Sequence, residues 1–84
     1  MSRYHISLDN YDHDGQPVEA LLAYGFDHVA GYFYQVYVAA SDEPAEDADS
    51  WRGLSRSQFI ERMDALAPNW PEEHRRSVAL DLPF

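Results

Sequence analysis

Gly31-Tyr32-Phe33-Tyr34-Gln35-Val36-Tyr37-Val38-Ala39-Ala40 is the densest run of aromatic and β-branched residues in the chain. Such residues favour a pleated, half-buried surface, so the run reads as a strand, and a central one. Strand alternation sends Tyr32, Tyr34, Val36 and Val38 to one face and Phe33, Gln35 and Tyr37 to the other. Both faces therefore carry rings, and the sequence leaves open which row is covered.

Upstream, Arg3 to Leu8 alternates Tyr4, Ile6 and Leu8 against His5 and Ser7, a period-two strand with one apolar face. Asp9 to Gly15 is packed with turn formers, and Asp14-Gly15 is a hairpin signal. Residues Pro17 to Phe26 admit two readings. Val18 to Tyr24 contains good helix formers, with Pro17 as a possible first helical residue. The run is short, however, meets Gly25 at once and lies between two strands, so strand is preferred. Phe26 to Gly31 forms the next connection. Connections this short predict a three-stranded antiparallel meander.

Downstream, Ser41 to Ser50 holds five carboxylates and reads as a mobile acidic surface loop. Trp51 to Leu54 is expected to return the chain to the core. Ser55-Arg56-Ser57-Gln58 fits a capping box. The helix it opens places Phe59, Met63 and Leu66 on one stripe, flanked by Ile60 and Ala67, and stops at Pro68. Pro71, Glu72 and Glu73 open a second helix, continued by His74, Val78, Ala79 and Leu80. Leu82 to Phe84 is an extended tail pinned by Phe84. The expected fold is α+β: one domain over 1–84, with a sheet (1–40), an acidic loop (41–50) and a helical part (51–84) packed on one sheet face.

A chain of 84 residues buries only ~60–65% of its unfolded surface, so its few large apolar residues must work hard. Cysteine is absent, which excludes disulfides and thiolate metal sites and suits a reducing cytoplasm. There is no apolar run of membrane-spanning length, and Met1 to His5 lacks the apolar core of a secretory signal. A cytoplasmic protein is expected. Fifteen acids face six bases, all of them arginine, for a net charge of −9. Residues 1–50 hold ten of the acids and only Arg3, while 51–84 balance to zero, so the excess sits on the sheet half. Direct nucleic-acid binding and anionic membranes are disfavoured, and a basic protein surface is the favoured partner.

Five kinds of chemistry are candidates. Asn10, Asp12 and Asp14, with Gly15, match the front half of a calcium loop, but Leu21 stands where the bidentate glutamate belongs. A metal-responsive domain using these three, with Glu19, is the second reading. His5, His13, His28 and His74 show no metal spacing, and His13 and His28 fall at opposite ends of the middle strand. No serine sits in a nucleophile elbow, so no enzyme is expected and no cofactor is assigned. Six tyrosines, four phenylalanines and two tryptophans are the residues that concentrate in interface cores. Carboxylates held on a rigid sheet can also imitate a row of phosphates, which duplex DNA presents at one charge per ~1.7 Å of axis.

In size, acidity, lack of cysteine and lack of enzymatic motifs, the chain resembles small acidic proteins of phages and mobile elements, including anti-CRISPR proteins and other DNA mimics. The resemblance implies a non-enzymatic inhibitor that occludes a basic groove of a nucleic-acid-handling partner. It rests on general character, so no residue roles carry over. On the residues themselves, the expected interface is Asp12, Asp14, Glu19, Asp27, Asp42, Glu43, Glu46 and Asp47 for steering and pairing, with Tyr32 and Tyr34 as anchors. A homodimer through an exposed strand edge is the third reading.

Overall fold

The computed structural model describes residues 2–39 and 41–84. It is α+β, and its antiparallel sheet has four strands where three were expected: β1 (Tyr4–His13), β2 (Gln16–Asp27), β3 (Gly31–Val38) and β4 (Glu46–Asp49). They lie in chain order, a meander. A 3₁₀ turn (Ser50–Arg52) leads to α1 (Arg56–Leu66) and α2 (Glu72–Ala79). Ala40, the expected last residue of the central strand, lies outside the described residues.

The first hairpin closes at Asp14-Gly15, where φ is +53° and +80°. Positive φ at both turn positions matches the twist of the flanking strands, which is why Asp-Gly serves here. The turn is tighter than the Asp9–Gly15 span suggests, because β1 runs on to His13. A register shift between Leu8 and Tyr11 absorbs one extra residue, Asp9 and Asn10 together standing opposite Glu19. Pro17 to Phe26 is strand throughout. The second turn is held by Asp27, whose Oδ1 accepts from Val29 N at 2.7 Å and Ala30 N at 3.3 Å. Gly25 is required by a close approach: a Cβ there would sit 2.1 Å from the Ser2 carbonyl oxygen.

The helices cover one face of the sheet. Its rows are Tyr4–Tyr24–Tyr34–Ala48, Ile6–Leu22–Val36–Glu46 and Leu8–Ala20–Val38. Leu22, Val36, Phe59, Met63 and Val78 are fully buried, and each contributes about 1.5–3 kcal/mol by leaving water. Phe59 stacks on Tyr32 at 5.5 Å, and Trp70 meets Tyr24 and Phe59 edge-on at 5.9 and 6.0 Å. This settles which row of β3 is covered. Tyr32 and Tyr34 lie under the helices, while Phe33, Gln35 and Tyr37 face outward. Ser55 caps α1 with the reciprocal Gln58 bond, as its sequence predicts. Phe84 pins the tail by stacking on Tyr4 at 5.8 Å.

Two expectations for 41–54 are corrected. Glu46–Asp49 is an edge strand rather than mobile loop. Its acids are tolerable in a sheet because arginines from outside it neutralise them: Arg62 meets Glu46, and Arg52 meets Asp47 and Asp49. Trp51 does not return to the core. It is 76% exposed, and Leu54 makes the core contact instead. Among the described residues, no helix is long and apolar enough to cross a membrane.

Candidate functional site

The ten acids of residues 1–50 divide by place. One group belongs to the fold. Glu46 points inward from β4 and receives three side chains: the Tyr11 hydroxyl donates at 2.6 Å, the Tyr34 hydroxyl at 3.2 Å and Arg62 Nε at 2.9 Å. Tyr11 reaches it from β1, so this bond joins the two edge strands across the covered face. Burial pushes the Glu46 carboxyl up, but the Arg62 and Tyr11 hydrogen bonds outweigh it and hold it below the usual carboxylate range. Burial, reinforced by the bond to Glu46, pushes the Tyr11 hydroxyl up to about 12. The other covered tyrosines are satisfied in the same manner. Tyr32 donates to Asp81 Oδ1 at 2.7 Å, and the Tyr24 hydroxyl pairs with His74 Nδ1 at 2.7 Å. Burial raises both to about 12.

The open face is also engaged. Arg3 donates to Gln35 Oε1 at 3.0 Å and lies 5.8 Å over the Phe33 ring. Tyr37 donates to the same Gln35 oxygen at 3.0 Å, and Gln35 Nε2 donates to Asp47 Oδ1 at 3.4 Å. Arg52 then joins Asp47 at 2.7 Å and Asp49 at 3.1 Å. A chain of polar contacts therefore crosses this face, with positive charge on it.

The second group of acids gathers at one end. Antiparallel pairing brings the β1–β2 turn, the end of β3 and the start of β4 to the same end of the sheet. Asp12 and Asp14 stand at the turn. Asp9 lies in the bulge opposite Glu19, and the pairing of Ala20 with Val38 sets Glu19 beside the connection carrying Asp42 and Glu43. All six are exposed. Among the described residues none of the six pairs with an arginine, and Asp14 has only His13, at 3.7 Å.

The structure thus brings together five of the ten expected site residues: Asp12, Asp14, Glu19, Asp42 and Glu43. Asp27 lies at the opposite end, occupied with its turn. Asp47 is held by Arg52 and Glu46 by Arg62. Tyr32 and Tyr34 are 6% and 8% exposed, so they cannot anchor a partner. Their rings fill the covered face because it needs bulk and their hydroxyls find acids at its rim. Two residues were missed. Asp9 belongs to the exposed acids, and only the bulge reveals it. Trp51 is the exposed ring, fixed by its backbone N donating to Ala30 O at 3.0 Å.

The structure lends the calcium reading no support. Asn10 and Asp12 lie on a strand, where alternate residues stand roughly 7 Å apart along the chain and their oxygens do not converge. Among the described residues, no three His, Asp or Glu side chains are grouped to hold a metal. Comparison with protein-family models, curated proteins and solved structures finds no match for this chain.

Proposed function

We propose that the chain is a non-enzymatic binding protein whose acidic sheet end, Asp9, Asp12, Asp14, Glu19, Asp42 and Glu43, docks on a basic groove of a nucleic-acid-handling partner. The observation that carries this reading is the division of the acids. Glu46, Asp47 and Asp49 on β4 and Asp64 on α1 have arginine partners, whereas these six, gathered at one end of the sheet, are exposed and among the described residues have none; Glu61, Glu72 and Glu73 are also exposed without one, but lie apart from that end on the helices. Unneutralised like charges in close array destabilise a small domain slightly, and they also steer an oppositely charged surface toward them. A groove shaped for phosphates would accept such a row. The resemblance to DNA mimics points the same way.

The test uses the immobilised chain and the nucleic-acid-binding fraction of a cell extract, beside a variant carrying Asp12→Asn, Asp14→Asn, Glu19→Gln, Asp42→Asn and Glu43→Gln. The wild type should retain a protein at about 50 mM salt and release it by about 200 mM, as charge-driven contacts do. Duplex DNA should displace that protein, and the variant should not retain it. Retention by both chains, or none by either, contradicts the reading.

A further inference from the structure

The free edge of β1 and the groove beside it form a second surface, which adjoins the acidic tip and shares Asp9 and Asp12 with it. Sheet order leaves β1 unpaired on its outer side. Ser2 N donates to Phe26 O at 2.8 Å, which makes Ser2–Phe26 a hydrogen-bonded pair. Antiparallel alternation then turns the backbone of Tyr4, Ile6 and Leu8 toward β2 and that of Arg3, His5 and Ser7 outward. Edges of this kind are templates for another strand unless they are covered. A groove of about 690 Å³ runs along the edge between β1 and the end of α1. Its apolar wall is Ile6, Leu8, Leu66 and Ala67; Asp9, Asp12 and Arg62 also line it, and Arg62 is already paired with Glu46, which leaves the two aspartates as its unpaired charges among the described residues. This is where the inward side chains of a fifth strand would rest.

We propose that this edge binds an extended basic segment of a partner protein, which adds to β1 as a fifth strand. Main-chain bonds to the outward groups of His5 and Ser7 would supply affinity. Alternate apolar side chains would fill the groove, and lysine or arginine would meet Asp9 and Asp12. Charge decides the occupant. A second copy would bring another −9 to the same edge, whereas a basic segment is attracted. The basic character of the partner rests on the function proposed above, while the strand addition does not.

The experiment is calorimetric titration of the full chain with a synthetic heptapeptide alternating valine and lysine. Two further forms carry N-methyl groups on the backbone nitrogens of either the valines or the lysines. An added strand points one alternate set of amides at β1, so one methylated form should bind at least about tenfold more weakly while the other binds like the parent. Ser7→Pro removes an outward N–H that no strand of the sheet uses, and should weaken the parent peptide about tenfold with an unchanged melt. The methylated peptides carry the test even if that variant fails to fold. Equal binding by all three peptides, or no binding, overturns the proposal, as does a dimer in sedimentation that Ser7→Pro dissolves. A valine–glutamate peptide that binds equally overturns the basic occupant alone. Loss of extract binding in a variant carrying only Asp14→Asn, Asp42→Asn and Glu43→Gln, which lie outside the groove, with intact peptide binding, shows that the tip and the edge act separately.

Discussion

The two ends of the acidic set contrast. On β4, Glu46 receives Tyr11, Tyr34 and Arg62 and joins both edges of the sheet. At the tip, Asp12, Glu19, Asp42 and Glu43 stand in water without arginine partners among the described residues. The same residue type is fastened into the structure in one place and left free in the other. What differs is the reach of α1 and of the 3₁₀ turn, which bring Arg62 and Arg52 into ion pairs with β4 and, among the described residues, with no acid of the tip. A carboxylate's role here follows from which cation the fold delivers.

The largest test of that contrast is alkaline pH. Tyr11, Tyr24 and Tyr32 are raised from 10.0 to about 12. Groups raised in the folded state stabilise it fully below pH 10, and that contribution is lost as pH climbs toward 12. At ~1.4 kcal/mol per unit, three shifts of about two units sum to at most roughly 8 kcal/mol, comparable with the whole stability of a small domain. Circular dichroism should show cooperative unfolding across that window, and a fold that persists above pH 12 would break the account of the covered face.

Next in size is Glu46→Ala, which strands two tyrosine hydroxyls and Arg62. It should cost about 2–3 kcal/mol in urea unfolding. Because the Glu46 carboxyl is lowered from 4.5, its contribution is present above about pH 4.5 and lost as pH falls through the folded value. Wild type and Glu46→Ala should therefore converge in acid. Asp64→Ala should cost about 1 kcal/mol, mainly through the Trp70 indole N–H that donates to it at 2.9 Å. Its Arg75 pair is largely screened by water. Smallest of all, Asp42→Asn with Glu43→Gln should change stability by no more than about 0.5 kcal/mol.

The strands, the Asp14-Gly15 turn and the Ser55 cap were legible because each is written in neighbouring residues. β4 was not. Glu46-Asp47-Ala48-Asp49 has poor strand propensity, and its stability comes from β3 and from arginines at positions 52 and 62. The faces of β3 were unreadable for a related reason. Tyr32 and Tyr34 are amphipathic, and only the rim partners Asp81 and Glu46 show that their hydroxyls can be met under the helices. The acidic tip was half legible. Charge density marked Asp12, Asp14, Asp42 and Glu43, but which acids remain unpaired depends on contacts between distant segments.

The most direct measurement is urea unfolding of two charge-neutralised chains side by side. One carries Glu46→Gln, and the other carries Asp12→Asn, Asp14→Asn, Glu19→Gln, Asp42→Asn and Glu43→Gln. The account predicts that Glu46→Gln lowers the midpoint clearly, while the five-fold variant matches or exceeds the wild type because it removes repulsion and no bond. A five-fold variant less stable than Glu46→Gln would contradict the division of the acids into those that hold the fold and those free to meet a partner.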